Sequence, residues 1–239
     1  MKKIGIDDAV IFTDGSSRGN PGPGGWAAVI VDPQNVNELG GSESHTTNNR
    51  MEIMAAVQGL QKVQAKNITL YTDSSYLING ATKWVFGWKK NGWKTSTKED
   101  VLNKDLWEDL LEVMSGKNIQ WTYVGGHVGI VGNERCDEIA TVSADGGDAQ
   151  LYSGKSSEYQ LQNILDIDPV ALDVTKKSDS KKRSSAAAYS YISKVDGLVM
   201  VHHSWRECEA RVKGKSGALF KKSLSKEDEG KIVTDFTSR

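Results

Sequence analysis

The chain has 239 residues, 38% hydrophobic and 26% charged, with a formal net charge of −1, long enough to bury a sizeable core in one large or two modest domains. No run approaches the roughly 18 apolar residues of a membrane helix, and Met-Lys-Lys-Ile-Gly-Ile-Asp-Asp lacks a signal-peptide core, so a cytoplasmic setting without membrane association is the expectation. Two cysteines, Cys136 and Cys208, lie far apart in sequence and support neither a disulfide framework nor a zinc site.

Val10, Phe12 and Asp14 alternate with Ile11 and Thr13, the period of a strand. The glycines and prolines between Gly15 and Gly25 then force a reversal into a second strand over residues 26–31. Taken alone this is a hairpin with a turn aspartate. A polar edge strand over 36–44 completes a meander, and Ile53, Val57 and Leu60 predict a helix that begins near Asn49 with Glu52 in its first turn. An acid there also has a plain reading, as a partner of the helix dipole.

Residues 68–73 repeat the opening pattern, an apolar strand that ends in Thr72-Asp73 and runs into a helix start at Ser74-Ser75. Two strands ending in Thr-Asp predict neighbours that present carboxylates at one edge of a sheet. A helix follows to about Trp84, then a tryptophan and lysine segment to Thr97, a helix over 104–114 and a strand over 119–124. His127 sits on a glycine-flanked loop before a helix that carries Asp137. Periodicity is lost from 146 to 187, where Ser, Lys and Asp dominate, and this stretch reads as a flexible linker. Beyond it, strands over 189–195 and 198–202, a helix opened by Ser204, a strand over 218–220 and a helix over 225–236 make a small second domain.

Charge is unevenly spread. Residues 1–145 carry 14 Lys and Arg against 18 Asp and Glu, whereas residues 188–239 carry 10 against 7. No acid lies between Asp73 and Glu99, yet Lys83, Lys89, Lys90, Lys94 and Lys98 all do. Interleaved with Trp84, Trp88 and Trp93, these lysines form a basic aromatic patch suited to nucleic acid. The other reading is a packed tryptophan set with a solvated lysine face, and Trp84 is the ring best suited to the core.

Asp14, Glu52, Asp73 and Asp137 acquire meaning together. Four converging carboxylates repel one another unless cations neutralise them, and oxygen ligands suit Mg²⁺ or Mn²⁺ over zinc. Two such ions roughly 4 Å apart are equipped for phosphodiester displacement. His127 reads either as a mobile proton carrier or as a solvated loop residue.

Several motifs in order carry a resemblance: Thr13-Asp14-Gly15-Ser16 with Gly19-Asn20-Pro21-Gly22-Pro23-Gly24-Gly25, Thr46-Thr47-Asn48-Asn49-Arg50-Met51-Glu52, Thr72-Asp73-Ser74, Gly126-His127, and Asn133-Glu134-Arg135-Cys136-Asp137. Together they resemble ribonuclease HI, the type 1 ribonucleases H, over roughly residues 8–145. The resemblance implies a mixed five-stranded sheet with helices on both sides. It implies that Asp14, Glu52, Asp73 and Asp137 bind two Mg²⁺ ions, with Mn²⁺ as a substitute, and that His127 assists proton transfer. Asn20, Asn48 and Asn49 match positions that read 2′-hydroxyls of an RNA strand, and Thr47 matches a phosphate-pocket position on the DNA strand. Trp84, Trp88, Lys89, Lys90, Trp93 and Lys94 match the family's basic protrusion. Ser17 and Ser75 depart from the Cys and Gln frequent at their positions.

Trp205-Arg206-Glu207-Cys208, Val212-Lys213-Gly214 and Ala218-Leu219-Phe220-Lys221-Lys222 resemble a second family, the hybrid-binding or viroplasmin-like module. That resemblance implies that Trp205 stacks on a DNA strand, Lys221 and Lys222 grip its phosphates, and Tyr191 adds a contact. The expected organisation is an α/β catalytic domain over 1–145, a linker over 146–187 and, over 188–239, a module of three strands and two helices. The implied activity is endonucleolytic hydrolysis of the RNA strand of RNA/DNA hybrids, with double-stranded RNA as a further ligand of the module and no protein partner implied. A non-catalytic hybrid or double-stranded RNA binder is the alternative, and the complete acid set argues against it.

Overall fold

The computed structural model describes residues 4–125, 129–161, 163–167, 188–195, 197–213, 215 and 218–238. The chain divides into two compact units, residues 1–174 and 175–239. Among the described residues no helix is long and apolar enough to cross a membrane.

In the first unit β1 (Asp8–Ser17), β2 (Gly22–Val31) and β3 (Asn35–Thr46) form the antiparallel meander. β4 (Asn67–Thr72) lies parallel to β1, and β5 (Asn118–Tyr123) parallel to β4. A short strand, β6 (Ser153–Lys155), pairs antiparallel with the outer edge of β3 and makes the sheet six-stranded, in the order β5-β4-β1-β2-β3-β6. The sixth strand lies inside the stretch expected to be linker. It forms there because Tyr159 and Ile164, isolated apolar residues without periodic spacing, are buried against the first unit's core.

Strand alternation sends Ile11 and Phe12 into opposite cores. Ile11 joins Ile53, Leu60, Leu70 and Trp107, while Phe12 joins Val29, Cys136 and Ile139. Cover on both faces explains why β1 is apolar almost throughout its centre. The first core is closed by α1 (Asn48–Lys62) and α4 (Lys104–Met114), and the second by α5 (Val131–Ala144). Thr47 caps α1, its Oγ1 accepting from the Arg50 N–H at 3.3 Å. The helix thus begins a residue earlier than the pattern predicts, and its first turn holds no acid; Glu52 is one turn further in and buried. Two glycines permit close approach of helix to sheet. A Cβ on Gly15 would lie 2.5 Å from the Glu52 backbone nitrogen, and one on Gly25 would collide with the Ala140 carbonyl.

After β4, α2 (Ser75–Asn79) is capped by Ser74 Oγ, which accepts from the Leu77 N–H at 3.1 Å. It passes through a π-helical turn, Gly80–Trp84, into α3 (Val85–Lys90). The helix therefore runs past its expected end at Trp84. The π turn shifts helical register, so Val85 is fully buried while Trp84 is exposed. Trp107, on α4, is the ring that fills the core.

The second unit is a three-stranded antiparallel sheet in the order β8-β7-β9, formed by β7 (Ser190–Val195), β8 (Leu198–His202) and β9 (Leu219–Ser223). Two helices accompany it, α6 (Trp205–Val212), capped by Ser204, and α7 (Lys226–Ser238). Ile192 packs with Ile232 and Phe236 in a small core. These elements match the expected ones closely. Asp196, in the expected hairpin turn, lies outside the described residues.

Candidate active site

The parallel register of β1 and β4 pairs Ile11 with Leu70 and Phe12 with Tyr71. Two residues further along, the same alignment brings Asp14 beside Asp73. α1 crosses at Gly15 and adds Glu52. Asp14, Glu52 and Asp73 each offer a carboxylate oxygen, and these atoms all lie within 4.8 Å of one another. Asp14 Oδ1 accepts from the Gly15 N–H at 2.7 Å, and Glu52 Oε1 accepts from the Asn48 side-chain amide at 2.7 Å.

Burial, first, and the charge of Asp73, second, push the Asp14 pKa up to about 8; the Gly15 N–H opposes the shift and Asp137 adds to it. Asp137, half-buried on α5, therefore acts on the group electrostatically while standing outside the 4.8 Å set. Of the four expected acids, three converge and the fourth is close enough to be felt. His127 lies outside the described residues. The donor set fits a hard divalent cation, because it consists of oxygen ligands and because a cation offsets the burial and the neighbouring charges that raise the Asp14 pKa.

The asparagines gather beside Glu52. Asn20 Oδ1 accepts from the Asn48 backbone N–H at 3.3 Å, Asn49 is exposed, and Thr47 holds the helix cap. Asn48, expected as a nucleic-acid contact, also orients Glu52 through its side-chain amide. In the basic patch, Trp84 is the exposed ring, as a nucleic-acid contact requires and against the alternative that packs it in the core, and Trp88 and Trp93 are half-buried against the first core. Lys89 and Lys90 are exposed, whereas Lys94 Nζ is 2.6 Å from Asp100 Oδ1. Both partners are well exposed, so this pair is weak and readily exchanged.

In the second unit Trp205 touches Tyr191 and Phe220, with ring centroids 5.6 and 5.3 Å apart. Register pairs Tyr191 with Lys222 and Ser193 with Phe220, so Phe220 and Lys222 share the Trp205 face. Lys221 pairs with Ile192 and alternates to the other face. The two lysines, expected to act together, are thus separated by the pleat. Phe220 was absent from the expected contacts, and period-two alternation through Phe220-Lys221-Lys222 is the signal that finds it.

The family model described as RNase H matches residues 7–145. Ribonuclease H of Pseudomonas savastanoi pv. phaseolicola is 49% identical over 140 residues, spanning 58% of this chain and 94% of that relative. Ribonuclease H of Erythrobacter litoralis is 47% identical over 146 residues, spanning 61% and 98%. Among solved structures, the crystal structure of LC9-RNase H1, a type 1 RNase H with the type 2 active-site motif, shares the fold. Its TM-score is 0.53 at 24% identity, covering 73% of this chain and 85% of that one.

The raised Asp14 pKa has a consequence for stability. A carboxyl that holds its proton more tightly folded than unfolded stabilises the fold at low pH and loses that contribution as pH climbs from the unfolded value, 3.8, through about 8. Metal-free protein should therefore lose stability across this window, and Asp14→Asn should flatten the dependence. Chemical denaturation at a series of pH values in chelator checks both; a parent profile that rises between pH 4 and 8 and is unaltered by Asp14→Asn would contradict them.

Proposed function

The chain belongs to the RNase H family, and from that premise we propose that it cleaves the RNA strand of RNA/DNA hybrids endonucleolytically, leaving 5′-phosphate and 3′-hydroxyl ends. The observation that carries the reading is the convergence of Asp14, Glu52 and Asp73. These three and Asp137 would hold two Mg²⁺ ions, with Mn²⁺ able to substitute. When bound, the ions supply an activated water and stabilise charge on the leaving oxygen of an in-line displacement.

The chain's own groups prepare that chemistry. The Gly15 N–H and the Asn48 amide orient Asp14 and Glu52. His127 is assigned proton transfer at the leaving oxygen. Asn20, Asn48 and Asn49 are assigned to the 2′-hydroxyls, the one group that separates RNA from DNA at such a surface. Thr47 is assigned to a DNA-strand phosphate. Exposed Trp84, Lys89, Lys90 and Lys94, with half-buried Trp88 and Trp93, make a handle for the duplex backbone.

The second unit is assigned as a hybrid-binding, viroplasmin-like module that also accepts double-stranded RNA. The support is a joined aromatic set, Tyr191, Trp205 and Phe220, on the face that carries Lys222. Stacking on such rings contributes affinity without sequence preference. Lys221, from the opposite face, is assigned a phosphate reached around the edge strand.

Labelled hybrid, double-stranded RNA and double-stranded DNA, incubated side by side with Mg²⁺, test the activity. The expected result is cleavage of the RNA strand in the hybrid alone, abolished in Asp14→Asn with hybrid binding retained. Mg²⁺-dependent turnover by Asp14→Asn would overturn the assignment. For the module, Trp205→Ala should weaken hybrid binding by about 1–3 kcal/mol with the salt dependence unchanged. Lys222→Ala should reduce the slope of log K against log salt by about 0.7–0.9. Binding titrations at several salt concentrations distinguish these from a module that does not touch the duplex, for which both variants bind as the parent does.

A further inference from the structure

Glu38, on β3, has a side chain only 1% exposed. Four donors meet it. Arg135 Nε reaches Oε1 and Arg135 Nη2 reaches Oε2, both at 2.8 Å. The Tyr152 backbone N–H reaches Oε2 at 2.9 Å, and the Tyr159 hydroxyl reaches Oε1 at 2.6 Å. The first two come from α5. The other two come from the strap that follows α5, runs along β3 as β6 and returns Tyr159 to the core. Arg135 Nη2 also donates to the Gln150 carbonyl at 2.7 Å, closing helix and strap onto each other.

Arg135 stands two residues before Asp137. Between them, the buried Cys136 thiol donates to the Phe12 carbonyl at 3.2 Å. The helix is therefore fastened to β1 through Cys136 and to β3 and the strap through Arg135, immediately beside the acid that lies outside the converged set. A buried ion pair adds little net stability compared with apolar packing of the same shape. A bidentate guanidinium–carboxylate fork does fix geometry, and a displacement of about 1 Å at a reacting centre can reduce rate about 10²-fold.

We infer that Glu38 and Tyr159 are positioning residues: through Arg135 the strap sets how closely α5 presents Asp137 to Asp14, Glu52 and Asp73. The strap lies beyond residue 145, where the family match ends. The inference rests on Asp137 belonging to the acidic site, and its test separates the two.

Mg²⁺ alone is titrated by calorimetry into full-length parent, Tyr159→Phe, Asp137→Asn and the double variant, with Glu38→Gln as a second break in the network. Steady-state kinetics on hybrid accompany the titrations. Tyr159→Phe keeps the ring and removes only the donor, so the fold should survive. The expected result is about a tenfold loss of Mg²⁺ affinity, no more than the low end of what a direct outer partner of a metal ligand costs, because Tyr159 acts on Asp137 only through Glu38 and Arg135. Lower kcat at unchanged KM should accompany it, and the loss should vanish in the Asp137→Asn background. A lower melting temperature with unchanged Mg²⁺ affinity and kcat in both Tyr159→Phe and Glu38→Gln would overturn the inference, as would an equal loss with and without Asp137. If Asp137→Asn alone binds Mg²⁺ as the parent does, the premise about Asp137 fails and the inference with it.

Discussion

Burial of the Asp14 carboxylate beside two other acids is the constraint around which the first unit's site is arranged. Asp14 is buried near the end of β1 with Asp73 and Glu52 at its side, and like charges in a poorly solvated place resist ionising together. The surrounding backbone holds them there regardless. Parallel pairing of β1 with β4 fixes Asp73, and the missing side chain at Gly15 lets α1 settle close enough to deliver Glu52. The Gly15 N–H and the Asn48 amide orient two of the three acids. Such an arrangement is costly for an empty protein and favourable around a divalent cation, so stability and metal binding are linked at one point in the sheet.

Asp137 is governed differently. It arrives on a helix from the end of the unit, and that helix is held by Cys136 on one side and by the Glu38–Arg135 fork on the other. The three acids on β1, α1 and after β4 follow from the sheet's own register. The fourth is carried by a helix whose neighbouring residues are tied by side-chain contacts to β1, β3 and the strap.

Much of this was legible in the amino-acid order. Thr13-Asp14 and Thr72-Asp73 close similar apolar runs, and such runs become adjacent strands whose ends coincide. The second unit's strands and helices follow from short alternating segments and the Ser204 cap. What was not legible depended on contacts between residues distant in sequence. β6 is a Ser-Gly-Lys segment with no strand signal, held by Glu38 acting on Tyr152 and Tyr159 from 114 and 121 residues away. The alternative that packs Trp84 in the core fails at the π turn over Gly80–Trp84, which no sequence pattern marks. The separation of Lys221 from Lys222 was available from the strand period, yet adjacency in sequence concealed it.

Burial and the neighbouring charge of Asp73 hold the Asp14 proton up to about pH 8, and a bound cation reverses this. Carbon-detected NMR of the Asp14 side-chain carboxyl, titrated from pH 3 to 10 in chelator and again in saturating Mg²⁺, observes this directly. The carboxyl should titrate at about 8 without metal and fall into or below the ordinary carboxylate range with it. Titration in the ordinary range under both conditions would show that the acids do not form the strained, cation-demanding set described above.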